Sequence, residues 1–204
     1  LRMAVERARE ANMPMDNIER TIKRASGGGE GNSLEEITYE GYAPGGAAIM
    51  VQVMTDNRNR TVAEVRNTFS KNGGNMGEVG CVDWIFEPRG VITVLLDSKS
   101  ADDLMLEAID AGAEDVDTPE DGDTELTIYT EPANLETVRK SLEAKKYTIV
   151  SAESTLVPKT KIDLSEKEGL QTLRLIDKLE DLDDVQNVYT NAEIANDIAE
   201  KYEG

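Results

Sequence analysis

Residues 88–96 read Pro-Arg-Gly-Val-Ile-Thr-Val-Leu-Leu ("PRGVITVLL"), and the fold depends on what this stretch does. Proline brings no backbone donor and glycine weakens a strand, so Pro88-Arg89-Gly90 reads as the end of the preceding strand, "VGCVDWIFE". From Gly90 the pattern starts afresh. "VITVLL" is a strand, and Ala101 to Gly112 is a helix with Leu104, Ala108 and Ile109 turned inward. A strand pair follows across a turn at Thr118 to Asp123, with "ELTIYT" its clearer member; then come a helix from Leu135 to Lys146 and a last strand, "TIVSAESTLV". The order βαββαβ over residues 90–160 predicts a ferredoxin-like unit.

Outward from that unit the pattern is α/β. "EITYEGYAPGGAAIMVQVMT" holds two β-prone segments around the turn Pro44-Gly45-Gly46. The S/T-x-x-E spacing of Thr61 and Glu64 predicts a capping box and a helix beginning just after Arg60, with Val62, Val65 and Phe69 inward and a stop at Asn72-Gly73-Gly74. Beyond Pro158 only a helix (Ser165 to Leu182) and a strand (Val185 to Thr190) remain. Alone they make no domain, so they are expected to complete the layer begun by residues 34–89. The expected class is α+β and multidomain: a small helical N-terminal domain with its linker (1–33), an α/β domain (34–89 plus 161–204), and a ferredoxin-like domain (90–160) inserted into it. In the helical part, "LRMAVERAREAN" is interrupted at Asn12-Met13-Pro14. A second helix follows, capped by Asp16 with Glu19 and burying Ile18, Ile22 and Ala25. Because the chain opens in mid-helix pattern, a further segment upstream is expected.

Composition excludes several chemistries. The 204 residues carry 41 acids against 22 bases, a formal charge of -19, which opposes whole-molecule attraction to nucleic acid or anionic membrane and shifts attention to local patches. There is no histidine, so His-based triads, Cys-His nucleophiles and His-ligated zinc are absent. Cys81 stands alone, which points to a reducing compartment such as the cytoplasm, and no apolar run reaches membrane-spanning length. Catalytic residues, a cofactor and a small-molecule substrate are not expected.

Three motifs invite chemistry. Gly74, Gly77 and Gly80 in "GGNMGEVG" resemble a phosphate cradle, but they follow a helix and precede a strand, which favours a helix stop and hairpin. Asp56, Asn57 and Asn59 could ligate a hard cation, and a metal-dependent enzyme built on Asp56 and Glu64 is the remote alternative; short polar side chains bonding the turn backbone are the plainer reading. Residues 101–125 contain eleven acids and no base, a surface that phosphate should avoid. The bases gather elsewhere. Arg58 and Arg60 in "DNRNRT" sit at a helix start, where free N–H groups and the dipole already favour an anion. Guanidinium forks match phosphate, and Asn57 and Asn59 can add hydrogen bonds to sugar or base edges. Arg66 and Lys71 extend this track, as do Arg20, Lys23 and Arg24 from the helical domain. The competing reading is a surface loop whose arginines pair with nearby acids.

"ANMPMDNIERTIKRA", "ITYEGYAPGGAAIMV" and "TDNRNRTVAEVRNTFSKNGGNMGEVGCVDWIF" together resemble the YebC family over most of residues 1–88. The resemblance implies a helical domain, an α/β domain and a ferredoxin-like insertion. It also implies a non-enzymatic, DNA-binding regulator of transcription. Mitochondrial relatives activate translation and bacterial members are linked to ribosomes, so the alternative is a translation factor on ribosomal RNA, with basic ribosomal proteins as further partners. Relatives usually carry a strongly basic segment before the helix entered at Leu1, and often Lys where this chain has Met15.

Overall fold

Side-chain alternation sets the first sheet. In β1 (Glu35–Tyr42) and β2 (Ala48–Thr55), Tyr39, Ile49, Val51 and Val53 point to one face, whereas Ala48 and Met50 point to the other. The two strands are antiparallel with Tyr39 opposite Val51, joined across Pro44-Gly45-Gly46, where Gly45 and Gly46 take positive φ. The computed structural model describes residues 4–5, 8–9, 13–25 (backbone only for 23–25), 34–96, 100–118, 124–195, 198–199 and 201–202. Most of the expected first helix, the glycine-rich linker and the turn around 119–123 lie outside these residues.

Among the described residues there are five α-helices: α1 (Met15–Ala25), α2 (Arg58–Lys71), α3 (Ala101–Asp110), α4 (Leu135–Ala144) and α5 (Glu166–Glu180). The remaining strands are β3 (Asn75–Met76), β4 (Phe86–Leu95), β5 (Asp115–Val116), β6 (Glu125–Thr130), β7 (Ile149–Pro158), β8 (Ile162–Asp163), β9 (Val185–Thr190) and β10 (Ala192–Glu193). One four-stranded antiparallel sheet has the order β3-β1-β2-β9, another β5-β6-β4-β7, and β8 with β10 forms a short parallel pair. β9 thus comes back to β2 after the chain has built the second sheet. Helices α2 and α5 cover the first sheet through Val65, Phe69, Leu175 and Leu179. Helices α3 and α4 cover the second through Leu104, Ala108, Leu135, Val138 and Leu142. Ser165 opens α5 with a full capping box to Glu168, which satisfies amides the first turn would otherwise leave free.

Four local expectations are corrected. Pro88 and Gly90 do not end a strand: β4 runs through both and pairs with β7 from Phe86↔Pro158 onward. Pairing to β6 begins only at Gly90↔Thr130, so Pro88 lies where β4 has a partner on one side alone and a missing donor costs least. At Gly90 a Cβ would collide with the Thr130 hydroxyl, so glycine serves close packing. Second, "VGCVDWIFE" is not a strand before Phe86, because the buried Glu40 carboxylate captures the N–H groups of Gly80, Val82 and Asp83 at 2.7–2.9 Å. Those donors are thereby withdrawn from any ladder, and Asp83–Ile85 forms a 3₁₀ turn. Third, α2 begins at Arg58 with Asn57 as its cap; Thr61 is buried inside the helix. Fourth, α1 begins at Met15, and the Asn17 and Ile18 amides donate to the Pro14 carbonyl, which leaves Asp16 in the first turn.

Candidate nucleic-acid interface

The start of α2 is built by β2 and by a loop far along the chain. Thr55, the last residue of β2, accepts the Asn57 amide on its hydroxyl at 2.9 Å. Asn57 turns its side-chain oxygen back onto the Arg60 amide at 3.1 Å, satisfying one of the free first-turn donors. Asp184, from the loop between α5 and β9, then closes the arrangement. Its carboxylate accepts from Arg60 Nη2 at 2.8 and 3.1 Å and from the hydroxyls of Thr55 and Thr61. The Asp184 carboxyl is held below its usual range, first by the Arg60 hydrogen bond and next by that from Thr61. The Arg60 guanidinium is correspondingly pushed up by its hydrogen bond to Asp184.

The expectation of two free guanidinium forks is therefore corrected for Arg60. It is paired with Asp184 and with Asp56 at 3.3 Å, and it lines a cleft of about 600 Å³ shared with Asp56, Glu64, Asp181, Asp183 and Asp184. Five acids around one base make that side of α2 hostile to phosphate. Asp56 and Glu64 meet in this cleft, but among the described residues no group of three acid or cysteine side chains could hold a metal ion.

Arg58 differs. It is exposed, and its guanidinium makes no ion pair or hydrogen bond among the described residues; the same holds for Arg66 and Lys71. At about 100° per residue, Arg58, Asn59 and Arg66 lie within roughly 100° of one another, whereas Arg60, Asn67 and Lys71 lie on the opposite flank with Glu64. The single track of four bases anticipated from sequence is thus split in two, and only the Arg58–Asn59–Arg66 flank is clear of the acidic cleft. Beneath it lies Tyr39, 7% exposed, whose hydroxyl has no hydrogen-bond partner among the described residues. Burial pushes its pKa up, nearby Arg58 pulls it down, and Asp184 pushes it up again, so the hydroxyl stays protonated within reach of both fields. An anion on this flank would meet the Arg58 fork and the first-turn amides of α2 that Asn57 leaves uncapped, with the Tyr39 hydroxyl buried out of its reach.

Of the other anticipated residues, Arg20 is exposed on α1, and the side chains of Lys23 and Arg24 lie outside the described residues. Asp184 and Glu40 escaped the sequence reading, because their partners lie 124 and about 40 residues away. Neither spacing is one of the short-range patterns, three or four residues on a helix or two on a strand, that a sequence displays.

Comparison with known proteins agrees with this architecture. The family described as "TACO1/YebC second and third domain" matches residues 34–192. A "Probable transcriptional regulatory protein" of Trichlorobacter lovleyi is 52% identical over 201 residues, covering 98% of this chain and 80% of the relative. One from Dehalococcoides mccartyi is 50% identical over 202 residues, covering 99% and 79%. The crystal structure of the conserved hypothetical protein Aq1575 from Aquifex aeolicus superposes with a TM-score of 0.81 at 46% identity, covering 96% of this chain and 80% of that one. With more than half of its length matched and relatives at this identity, the chain belongs to the TACO1/YebC family.

Proposed function

We propose that the protein is a non-enzymatic, nucleic-acid-binding regulator of gene expression, acting on DNA in the cytoplasm. One observation carries this reading. In a chain of charge -19, where Arg60, Arg89 and Arg139 are all tied to carboxylates, α2 leaves Arg58 and Arg66 on one exposed flank without a partner among the described residues. Holding an unpaired Arg58 at the positive end of a helix is locally unfavourable, and such violations of local rules tend to mark function; Arg66, two turns on, adds a second cation to the same flank. The regulatory names of the relatives support the same reading at family level. Arg58 and Arg66 would hold backbone phosphates, Asn59 would reach sugar or base edges, and Arg20, Lys23 and Arg24 would add contacts from the helical domain. Recognition would follow shape and backbone more than sequence. Among the described residues no helix is long and apolar enough to cross a membrane.

The division of labour follows from topology. We read residues 34–89 plus 161–204 as the α/β domain and 90–160 as a ferredoxin-like insertion; the latter is supported by its βαββαβ order and by the antiparallel sheet order β5-β6-β4-β7. The acidity of α3 favours a second reading, a translation factor on the ribosome. There the α2 flank would hold ribosomal RNA while the acidic surface faces basic proteins. Crosslinking the full chain in cells and sorting the bound nucleic acid tests both. Recovered DNA supports transcriptional control, ribosomal RNA supports the ribosome, and recovery of neither above background overturns the proposal.

A further inference from the structure

We propose that the loop 77–85 is a rigid stacking platform for an unpaired nucleobase, with Trp84 and Tyr42 as its aromatic faces. This rests on the nucleic-acid reading above but concerns a separate site. Trp84 is 66% exposed and Tyr42 36%, and both direct their polar atoms at one acceptor, the Cys81 carbonyl, at 3.1 Å from the indole nitrogen and 3.0 Å from the phenol. Their hydrogen-bonding edges are thus occupied by the protein, and what remains for a ligand is ring surface. Tyr39, the other tyrosine of β1 that the sequence offers for stacking, is buried and unavailable.

The loop is held to that shape. Glu40, 4% exposed, binds three of its amides, Gly80 takes a φ of +87°, and a Cβ at Gly77 would come within 2.6 Å of the Cys81 sulfur. The Lys159 ammonium caps the Trp84 carbonyl at 3.0 Å, and its amide bonds the Ile85 carbonyl at 2.8 Å. A large aromatic kept exposed on so constrained a loop loses little entropy on binding. Stacking is open to any base, because every base has a π-face. A base within a duplex is already stacked on its neighbours, so the faces select an unpaired one.

Two further features define the ligand. The loop covers the face of the first sheet that bears Ala48 and Met50, opposite the face bearing Val51, Phe69 and α2. One straight duplex cannot lie on both faces, whereas a flexible single strand or a loop of a folded RNA can. The loop itself carries the exposed acids Glu78 and Asp83, and Lys159 is the only base bonded to it among the described residues, so phosphate attraction contributes little here. The platform contact should therefore respond weakly to salt, unlike the α2 flank.

Trp84 is the sole tryptophan of the chain, so its emission reports the site directly. The full chain is titrated with an unstructured, labelled oligoadenylate of about 12 nucleotides and with a duplex of equal length, reading tryptophan emission and oligonucleotide anisotropy together. The expected result is quenching by the single strand and not by the duplex. Trp84→Ala should weaken single-strand binding by about 5- to 100-fold, and Trp84→Phe should restore most of the affinity. Binding by anisotropy with unchanged emission and an unaffected Trp84→Ala variant overturns the platform and leaves the nucleic-acid reading intact. Absence of any anisotropy change removes both. Quenching by an unstructured peptide but by neither oligonucleotide also overturns it, assigning the rings to a protein.

Discussion

Helices α2 and α3 do the same structural work and begin with opposite charges. Each lies over a four-stranded antiparallel sheet, α2 through Val65 and Phe69, α3 through Leu104 and Ala108. Helix α3 places Asp102 and Asp103 in its first turn, where the dipole favours acids. Helix α2 has no acid there and carries Arg58 and Arg60 instead. Its missing negative charge is imported from Asp184, which neutralises Arg60 and leaves Arg58 exposed. Packing does not require the inversion, since α3 packs without it. The difference teaches that α2 keeps an electrostatically unfavourable start, and the flank this leaves basic is the one we assign to a polyanion.

The comparison breaks first at Asp184. Asp184→Asn should cost about 1–2 kcal/mol of stability, because it removes the ion pair to Arg60 and weakens the bonds from Thr55 and Thr61; urea unfolding reads this directly. The loss should depend on pH. The Asp184 carboxyl is held below its usual range, so its contribution is complete above the ordinary carboxylate pKa and disappears as pH falls through the depressed one. The gap between wild type and variant should close in acid. With Arg60 released, affinity for nucleic acid should rise as stability falls.

Removing the favourable acids of α3 should have a smaller effect. Asp102→Asn with Asp103→Asn should lower stability by about 1 kcal/mol at low salt and leave nucleic-acid affinity unchanged or slightly raised. A fall in affinity would place the ligand on the acidic sheet and reverse the comparison. The smallest effect separates function from stability. Arg58→Glu puts an acid where the dipole wants one and should raise stability by about 0.5 kcal/mol in thermal unfolding, while binding is lost. A variant that is both more stable and inactive is the signature of a helix start kept for function.

Much of the fold was legible because it repeats short-range patterns. The β1–β2 hairpin announced itself through Pro44-Gly45-Gly46, and the inward faces of α2 through Val62, Val65 and Phe69. The helix and strand after Pro158 lacked partners of their own, and β9 is found beside β2. Failures came where a distant group overrode a local signal. Pro88 and Gly90 looked like a strand end but lie inside β4, because β7, distant in sequence, lies directly beside it and supplies the pairing. Thr61 had the spacing of a cap, yet its hydroxyl is spent on Asp184 and Asn57 caps α2. At the candidate site, sequence found the bases but could not say which were free: Arg58 and Arg60 are two residues apart, and Asp56 and Asp184 both reach Arg60 alone. The Trp84 loop was hidden because Glu40, whose carboxylate arranges it, looks like any polar residue in an alternating strand.

The central claim is that the unpaired cations of α2 hold backbone phosphates. Its most direct test is the affinity of the full chain for a fixed duplex across a series of salt concentrations, for wild type and for Arg58→Ala with Arg66→Ala. The account predicts that wild-type affinity falls linearly on logarithmic axes and that the double variant binds more weakly, with a slope shallower by about 2, one phosphate for each cation removed. A double variant with the wild-type affinity and the same slope would contradict it.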